Sequence, residues 1–170
     1  MPNIAQKLQK FKDIAVKLAL SERFDDALKI CDAGLEMLNA SAEKDTEQGI
    51  KWLCALESAK ASVFMAQKDF EKAKDSYAAA LECIAALPRG AEFSFALDNL
   101  SNAFKGLGDM QSCISCKLAA IENLEETASA SKELIAKKYK SLAQEMDSCG
   151  RSAEAIELRR KAQRIEEGAL

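Results

Sequence analysis

The residues best suited to chemistry in this chain are its six cysteines, at positions 31, 54, 83, 113, 116 and 149. Two of them, Cys113 and Cys116, are spaced CxxC in the stretch GDMQSCISCKLAAIENLEE. That spacing serves thiol redox couples and zinc knuckles. A thiol zinc site needs four ligands in a tetrahedral array. The chain has no histidine and no second CxxC, so two further cysteines would have to converge on this pair. A redox CxxC relies on a helix N-terminus that depresses a thiol pKa, and Cys113 does fall near a helix start. The lack of histidine also excludes Ser-His and Cys-His nucleophile pairs and histidine general bases. The paired carboxylates Glu125-Glu126 and Glu166-Glu167 read as surface runs near helix ends rather than as acid–base pairs. The expectation is a protein without enzymatic chemistry, metal or cofactor, whose cysteines are small packing groups.

The elements that carry these residues are helices. Of 170 residues, 48% are hydrophobic and 30% charged, with seven glycines and two prolines. Alanine is frequent and aromatics are few, a composition that favours helix over strand. The net charge is −3, from 24 basic and 27 acidic residues that are well mixed. No basic block is present to release counterions from a nucleic acid, so nucleic-acid binding is not expected. The start, MPNIAQKLQKFKDIA, lacks the apolar core of a signal segment. No apolar run approaches the ~20 residues of a membrane span. The expected setting is cytoplasmic, without membrane insertion, where disulfides are improbable.

Self-comparison reveals a repeat. Four segments open a helix after a turn: FDDAL at Phe24, FEKAK at Phe70, MQSCI at Met110 and SAEAI at Ser152. Three places on, each has a small residue: Ala27, Ala73, Cys113 and Ala155. Seven further on is another: Gly34, Ala80, Ala120 and Ala162. Six places before each start lies a large apolar residue, Leu18, Phe64, Phe104 or Met146, and three before that a small one, Ala15, Ala61, Ser101 or Ala143. Small residues seven apart share one stripe of a helix and let a partner helix approach closely, while the large residue fills the space. The pattern predicts helical hairpins with short turns at 21–23, 67–69, 106–109 and 149–152. Gly108 and Gly150 suit helix ends, and Asp69 and Asp109 are placed to cap the next helix. Ser129 and Ser131 offer caps after ETASAS, and Pro88 with Gly90 marks a clear break. Eight helices are expected, at 3–20, 23–39, 43–66, 70–87, 92–106, 110–127, 131–148 and 152–167.

This repeat resembles the tetratricopeptide (TPR) family. The signature is a small-xx-large helix followed by aromatic-xx-Ala and a later Ala. The usual unit is about 34 residues. The units here run from 40 to 46, which resembles the kinesin light chain type of array. FALDNLSNAFKGLGD and AEAIELRRKAQRIEE read much like second-hairpin text of that subgroup. The first-helix glycine of the family is never Gly here, Lys60 stands where an apolar residue is usual, and Arg159 and Gln163 suggest a solvent-facing last helix.

The resemblance implies an all-α fold. It would be a right-handed TPR-like superhelix of four antiparallel hairpins, forming one domain over 1–170 with repeats at about 3–40, 41–88, 91–128 and 129–170. In such arrays the first helices line a concave groove that takes a partner peptide or helix. The implied groove positions include Ser62, Met65, Asn99, Asn102, Lys105, Lys137, Lys140 and Gln144. Asn99 and Asn102 lie i, i+3 on one face, and an amide both donates and accepts, which suits a peptide backbone. Lys105, Lys137 and Lys140 would meet an acidic partner. A solvated polar face is the alternative for all of them. The carboxylate clamp of chaperone-binding members is incomplete, because Val16 and Ser141 occupy places that need Asn and a basic residue. Cys113 shares its slot with three alanines and reads as packing. Trp52, the single tryptophan, also reads as core. The expected function is a protein-binding adaptor or scaffold. The alternative is a structural subunit of a larger assembly, cytoskeletal or motor-associated, that docks through its outer helices and ends. An exposed apolar floor around Met65 and Phe95 would favour the groove, and apolar patches on the end helices the assembly.

Overall fold

The computed structural model describes residues 3–127 and 130–168. Among these it holds eight helices: α1 (Ile4–Leu20), α2 (Phe24–Asn39), α3 (Glu47–Ala66), α4 (Phe70–Ala85), α5 (Ala91–Gly106), α6 (Met110–Glu126), α7 (Lys132–Ser148) and α8 (Ser152–Glu166). No described residue is in a strand. No helix among them is long and apolar enough to cross a membrane. The chain divides into two compact units, Met1–Pro88 and Arg89–Leu170. Each unit consists of two helical hairpins, α1–α2 with α3–α4 and α5–α6 with α7–α8.

The hairpin turns repeat one backbone device. The first residue after each turn donates its N–H to the large slot residue five places back: Arg23 to Leu18 at 2.9 Å, Asp69 to Phe64 at 2.9 Å, Asp109 to Phe104 at 3.0 Å and Arg151 to Met146 at 2.9 Å. This closes the helix with a left-handed residue. Gly108 (φ 78°) and Gly150 (φ 76°) supply it in the second unit, as expected. In the first unit the same conformation falls on Glu22 (φ 58°) and Lys68 (φ 60°), where no sequence signal marked it. Asp69 and Asp109 cap α4 and α6 by accepting the N–H groups of Lys72 and Ser112. Ser131 caps α7 through the N–H of Leu134. The expected alternative cap, Ser129, lies outside the described residues.

Two boundaries differ from expectation by two residues or more. α3 begins at Glu47, not 43. The Thr46 hydroxyl donates to the Glu43 carbonyl at 2.7 Å and accepts the Gly49 N–H at 3.0 Å, which folds 43–46 into a turn. α4 stops at Ala85 rather than 87, because Pro88 disfavours helical backbone at the residue before it.

The repeat slots are the core. All four residues of the first small set and all four of the preceding-helix small set are buried, as are Gly34, Ala80, Ala120 and Ala162. Of the large slots, Phe64 (9% exposed) and Met146 (3%) are buried, whereas Leu18 and Phe104 are half-buried. In the first unit Leu8, Leu38 and Leu56 cluster, and the half-buried Leu35, Leu53 and Trp52 pack against them, so the expected core tryptophan sits at the edge of the core. In the second, Ile114, Ile121 and Leu124 of α6 pack with Ile135, Leu142 and Met146 of α7 and with Ala155 and Ala162 of α8. A buried polar link joins α5 to α6. Asn123 donates to the Gly90 carbonyl at 2.8 Å and to Ser94 at 2.7 Å, and Ser94 donates to the Ala120 carbonyl at 2.8 Å. Gly90, the N-terminal flank of α5, has no side chain to cap that helix; Asn123 secures it from outside.

Candidate partner-binding faces

The cysteines occupy packing positions. Cys113 is fully buried beside the α6 start, in the slot that elsewhere holds Ala. Burial pushes its thiol pKa up, and the charge of nearby Lys117 offsets this only in part. Burial also raises Cys116, with the Cys113 charge adding to it. Burial, then Asp32, pushes Cys31 up to about 11. Each shift is opposite to the one a redox thiolate needs. No cluster of three or more His, Cys, Asp or Glu side chains able to hold a metal occurs among the described residues. Cys113→Ala is expected to cost less than about 1 kcal/mol and Cys113→Leu about 1–3 kcal/mol through overpacking. Urea unfolding checks both, and a Leu variant as stable as the parent would refute the packing role.

In the first unit the implied groove positions lie on α3. Ser62 is exposed, donates to the Ser58 carbonyl at 2.8 Å and lies 3.1 Å from the Tyr77 hydroxyl of α4. Met65 is half-buried. Ser62 is therefore partly committed to its own hairpin.

In the second unit the positions form two stripes, on α5 and α7. The α5 stripe holds Phe95, Asn99 and Asn102, at i, i+4 and i+7. Phe95 is 64% exposed, an unusual place for a large aromatic ring. Asn102 is exposed and Asn99 half-buried. Neither amide makes a side-chain hydrogen bond to a described residue. The α7 stripe holds Lys137, Lys140 and Gln144, all exposed. Ion pairs tie the two helices together. Lys105 of α5 meets Glu145 of α7 at 2.9 Å, and Lys138 of α7 pairs with Asp98 of α5.

The three lysines expected to attract an acidic partner are not equivalent. Glu145 is shared by Lys105 and by Lys117 of α6, each at 2.9 Å. Burial alone would raise the Glu145 pKa, but the two lysines outweigh it and hold the carboxyl low. The hydrogen bond to Glu145 correspondingly raises Lys105. Lys140 reaches both carboxylate oxygens of Glu166 on α8, at 2.7 and 2.9 Å. That pairing also offsets the unfavourable position of Glu166 at the end of its own helix. Lys137 alone of the three has no ion-pair partner among the described residues. Sequence patterning found the stripe positions but missed these acids, since Glu145 and Glu166 stand 40 and 26 residues from the lysines they engage.

The last hairpin is closed by polar groups. Lys161 of α8 donates to the Tyr139 hydroxyl at 2.5 Å, lies 4.6 Å from the centroid of that ring, and pairs with Glu125 of α6 at 3.1 Å. Arg159 pairs with Asp147. A shallow hollow of about 460 Å³ between α7 and α8 is lined by Lys140, Gln144, Arg159, Gln163 and Glu166. Arg159 and Gln163 thus face solvent, as the sequence led us to expect.

No family model matches the chain, and no curated protein matches it. Solved structures do. A kinesin light chain protein with nearly identical TPR-like repeats from Podosopora anserina aligns with a TM-score of 0.77 at 14% identity, over 100% of this chain and 79% of that one. BtubC (BKLC) from P. vanneervenii aligns with a TM-score of 0.76 at 15% identity; it covers 99% of this chain, which spans 66% of the BtubC chain. MamA from Desulfovibrio magneticus RS-1 aligns with a TM-score of 0.61 at 17% identity, over 95% of this chain and 76% of that one. At these identities the likeness concerns the fold, an all-helical TPR-like solenoid.

Proposed function

We propose that this chain is a non-catalytic protein-interaction scaffold of TPR type, its repeats serving as one domain, that seats a partner peptide or helix on the exposed stripes of its first helices. The observation that carries this reading is the α5 stripe. Phe95 stands 64% exposed, and Asn99 and Asn102 beside it keep their amide groups uncommitted. An apolar anchor flanked by donor–acceptor groups is what a peptide backbone requires. Lys137 and Gln144 of α7 add polar reach, and Lys105 and Lys140 would join only by exchanging Glu145 or Glu166 for an acid of the partner. The fold likeness to TPR-like repeat proteins supports an interaction scaffold, which we place in the cytoplasm as an adaptor.

Affinity capture with the intact protein tests it. The Phe95→Ala, Asn99→Ala, Asn102→Ala triple variant should keep its helicity, because Phe95 and Asn102 are exposed and Asn99 only half-buried. Losing about 1.5–3 kcal/mol of ring burial and about 1 kcal/mol per hydrogen bond should weaken binding by roughly 100-fold or more. Retained capture by this variant, together with loss on changes to the end helices, would replace the groove reading with that of an assembly subunit.

A further inference from the structure

We propose that Cys113 and Cys149 form a reversible disulfide that pins the end of α7 to the start of α6 and makes the second unit responsive to hydroperoxides. Of the six cysteines only Cys149 is exposed. It follows α7 as the capping residue, with its N–H bonded to the Glu145 and Met146 carbonyls. Packing accounts for Cys113 but gives Cys149 no role.

α6 and α7 run antiparallel, and two side-chain contacts fix their register. Tyr139 donates to Glu125 and Lys117 donates to Glu145, each at 2.9 Å. One further turn in that direction is about four residues back along α6 and about four residues on along α7. Those positions are Cys113 and Cys149. The local electrostatics agree with this register. Lys105 of α5, raised chiefly by its bond to Glu145, is also acted on by both thiols. Burial acts most on Cys113, and after it come Lys117, Glu145, Lys105 and Cys149. After burial, Cys116 is acted on only by Cys113 and by Asp109, the α6 cap. The second cysteine of the CxxC spacing therefore lies off the seam that faces α7.

A disulfide needs its Cα atoms within about 7 Å. That is closer than an ion pair between two long side chains demands, so the last turn of α7 must close onto α6. Room for this exists at Gly150, the left-handed residue after Cys149, where a Cβ would meet no atom within 4 Å. The exposed thiol reacts first. The Cys149 sulfur gives up its proton and attacks one oxygen of hydrogen peroxide; the O–O bond breaks, Cys149 becomes a sulfenic acid and the peroxide is reduced to water. The Cys113 sulfur then attacks the Cys149 sulfur. The S–O bond breaks, and the hydroxyl leaves with the Cys113 proton as a second water. Cys113 enters only this second step, so its buried, raised thiol need not meet the oxidant.

The test treats the intact, reduced chain with hydrogen peroxide below its unfolding temperature, alkylates the remaining thiols and maps the peptides by mass spectrometry. A Cys113–Cys149 cross-link that dithiothreitol reverses is the expected product. It should persist in Cys116→Ala and vanish in Cys149→Ser and in Cys113→Ala, a change that the alanine slots of the other repeats accommodate. Trypsin cleavage after Arg151, in the pinned turn, should slow about tenfold in the cross-linked protein, because cleavage needs the turn to open. The Cys149→Ser protein should show no such slowing after peroxide. A Cys113–Cys116 bridge, a Cys149–Cys149 dimer, an unreacted or over-oxidised Cys149 beside an alkylated Cys113, or a cross-link that forms only in urea each overturns the proposal. A cleavage rate that oxidation leaves unchanged also overturns it, since the bridge would then pin nothing.

Discussion

Phe64→Ala is expected to lower the unfolding free energy by about 3–5 kcal/mol, a large share of the 5–15 kcal/mol typical of a domain. The ring is 9% exposed and occupies the large slot at the end of α3. Its backbone carbonyl accepts the turn-closing N–H of Asp69, and Lys72 lies 5.7 Å from the ring centroid. Truncation would leave a void at the place where α3 and α4 are locked together. Phe104, in the equivalent slot of the second unit, is only half-buried, so Phe104→Ala should cost about half as much. Urea unfolding followed by circular dichroism measures both. A Phe64→Ala loss under about 1 kcal/mol would mean the large slot does not hold the hairpin, and an equal or larger loss at Phe104 would break the link to burial.

Gly49→Ala should be the next most damaging change, near 3 kcal/mol. On helix propensity alone the substitution would stabilise α3 by about 1 kcal/mol. The structure reverses that sign. A Cβ at Gly49 would sit 1.9 Å from the Glu43 carbonyl oxygen and 2.8 Å from that of Lys44. Both are backbone atoms, so the 43–46 turn must move and take the Thr46 cap with it. Thr46→Ala, which removes the cap alone, should cost only about 1 kcal/mol. Gly34→Ala is the informative contrast. Its Cβ would lie 3.0 Å from the Leu56 Cδ2 atom, the far end of a side chain that can yield. The three other repeats already hold Ala at that slot. Thermal unfolding of the three variants should rank Gly49→Ala lowest, and a Gly49→Ala protein at least as stable as the parent would contradict the crowding.

What the sequence by itself determined is the set of features encoded locally and periodically. Ala27, Ala73, Cys113 and Ala155 recur because close helix approach excludes larger groups at one point of each hairpin. That constraint is legible in the chain and predicts all eight helices to within a few residues. The same constraint puts Cys113 in an alanine slot, where burial raises its pKa. Gly108, Gly150, Asp69 and Asp109 announced their roles for the same local reason. The stripes of the first helices follow from the register, so Asn102, Lys137 and Gln144 were found as exposed positions and Asn99 as a half-buried one.

The tertiary structure alone decided whatever depends on atoms distant in the chain. The left-handed turns at Glu22 and Lys68 are imposed by the hairpin closure, which the Leu18 and Phe64 carbonyls anchor, not by the residues themselves. Lys105 and Lys140 lost their freedom to acids on later helices, while Phe95 and the amides beside it kept theirs. Burial and ion pairing belong to helix pairs and not to any single helix, so no helix read by itself could show them.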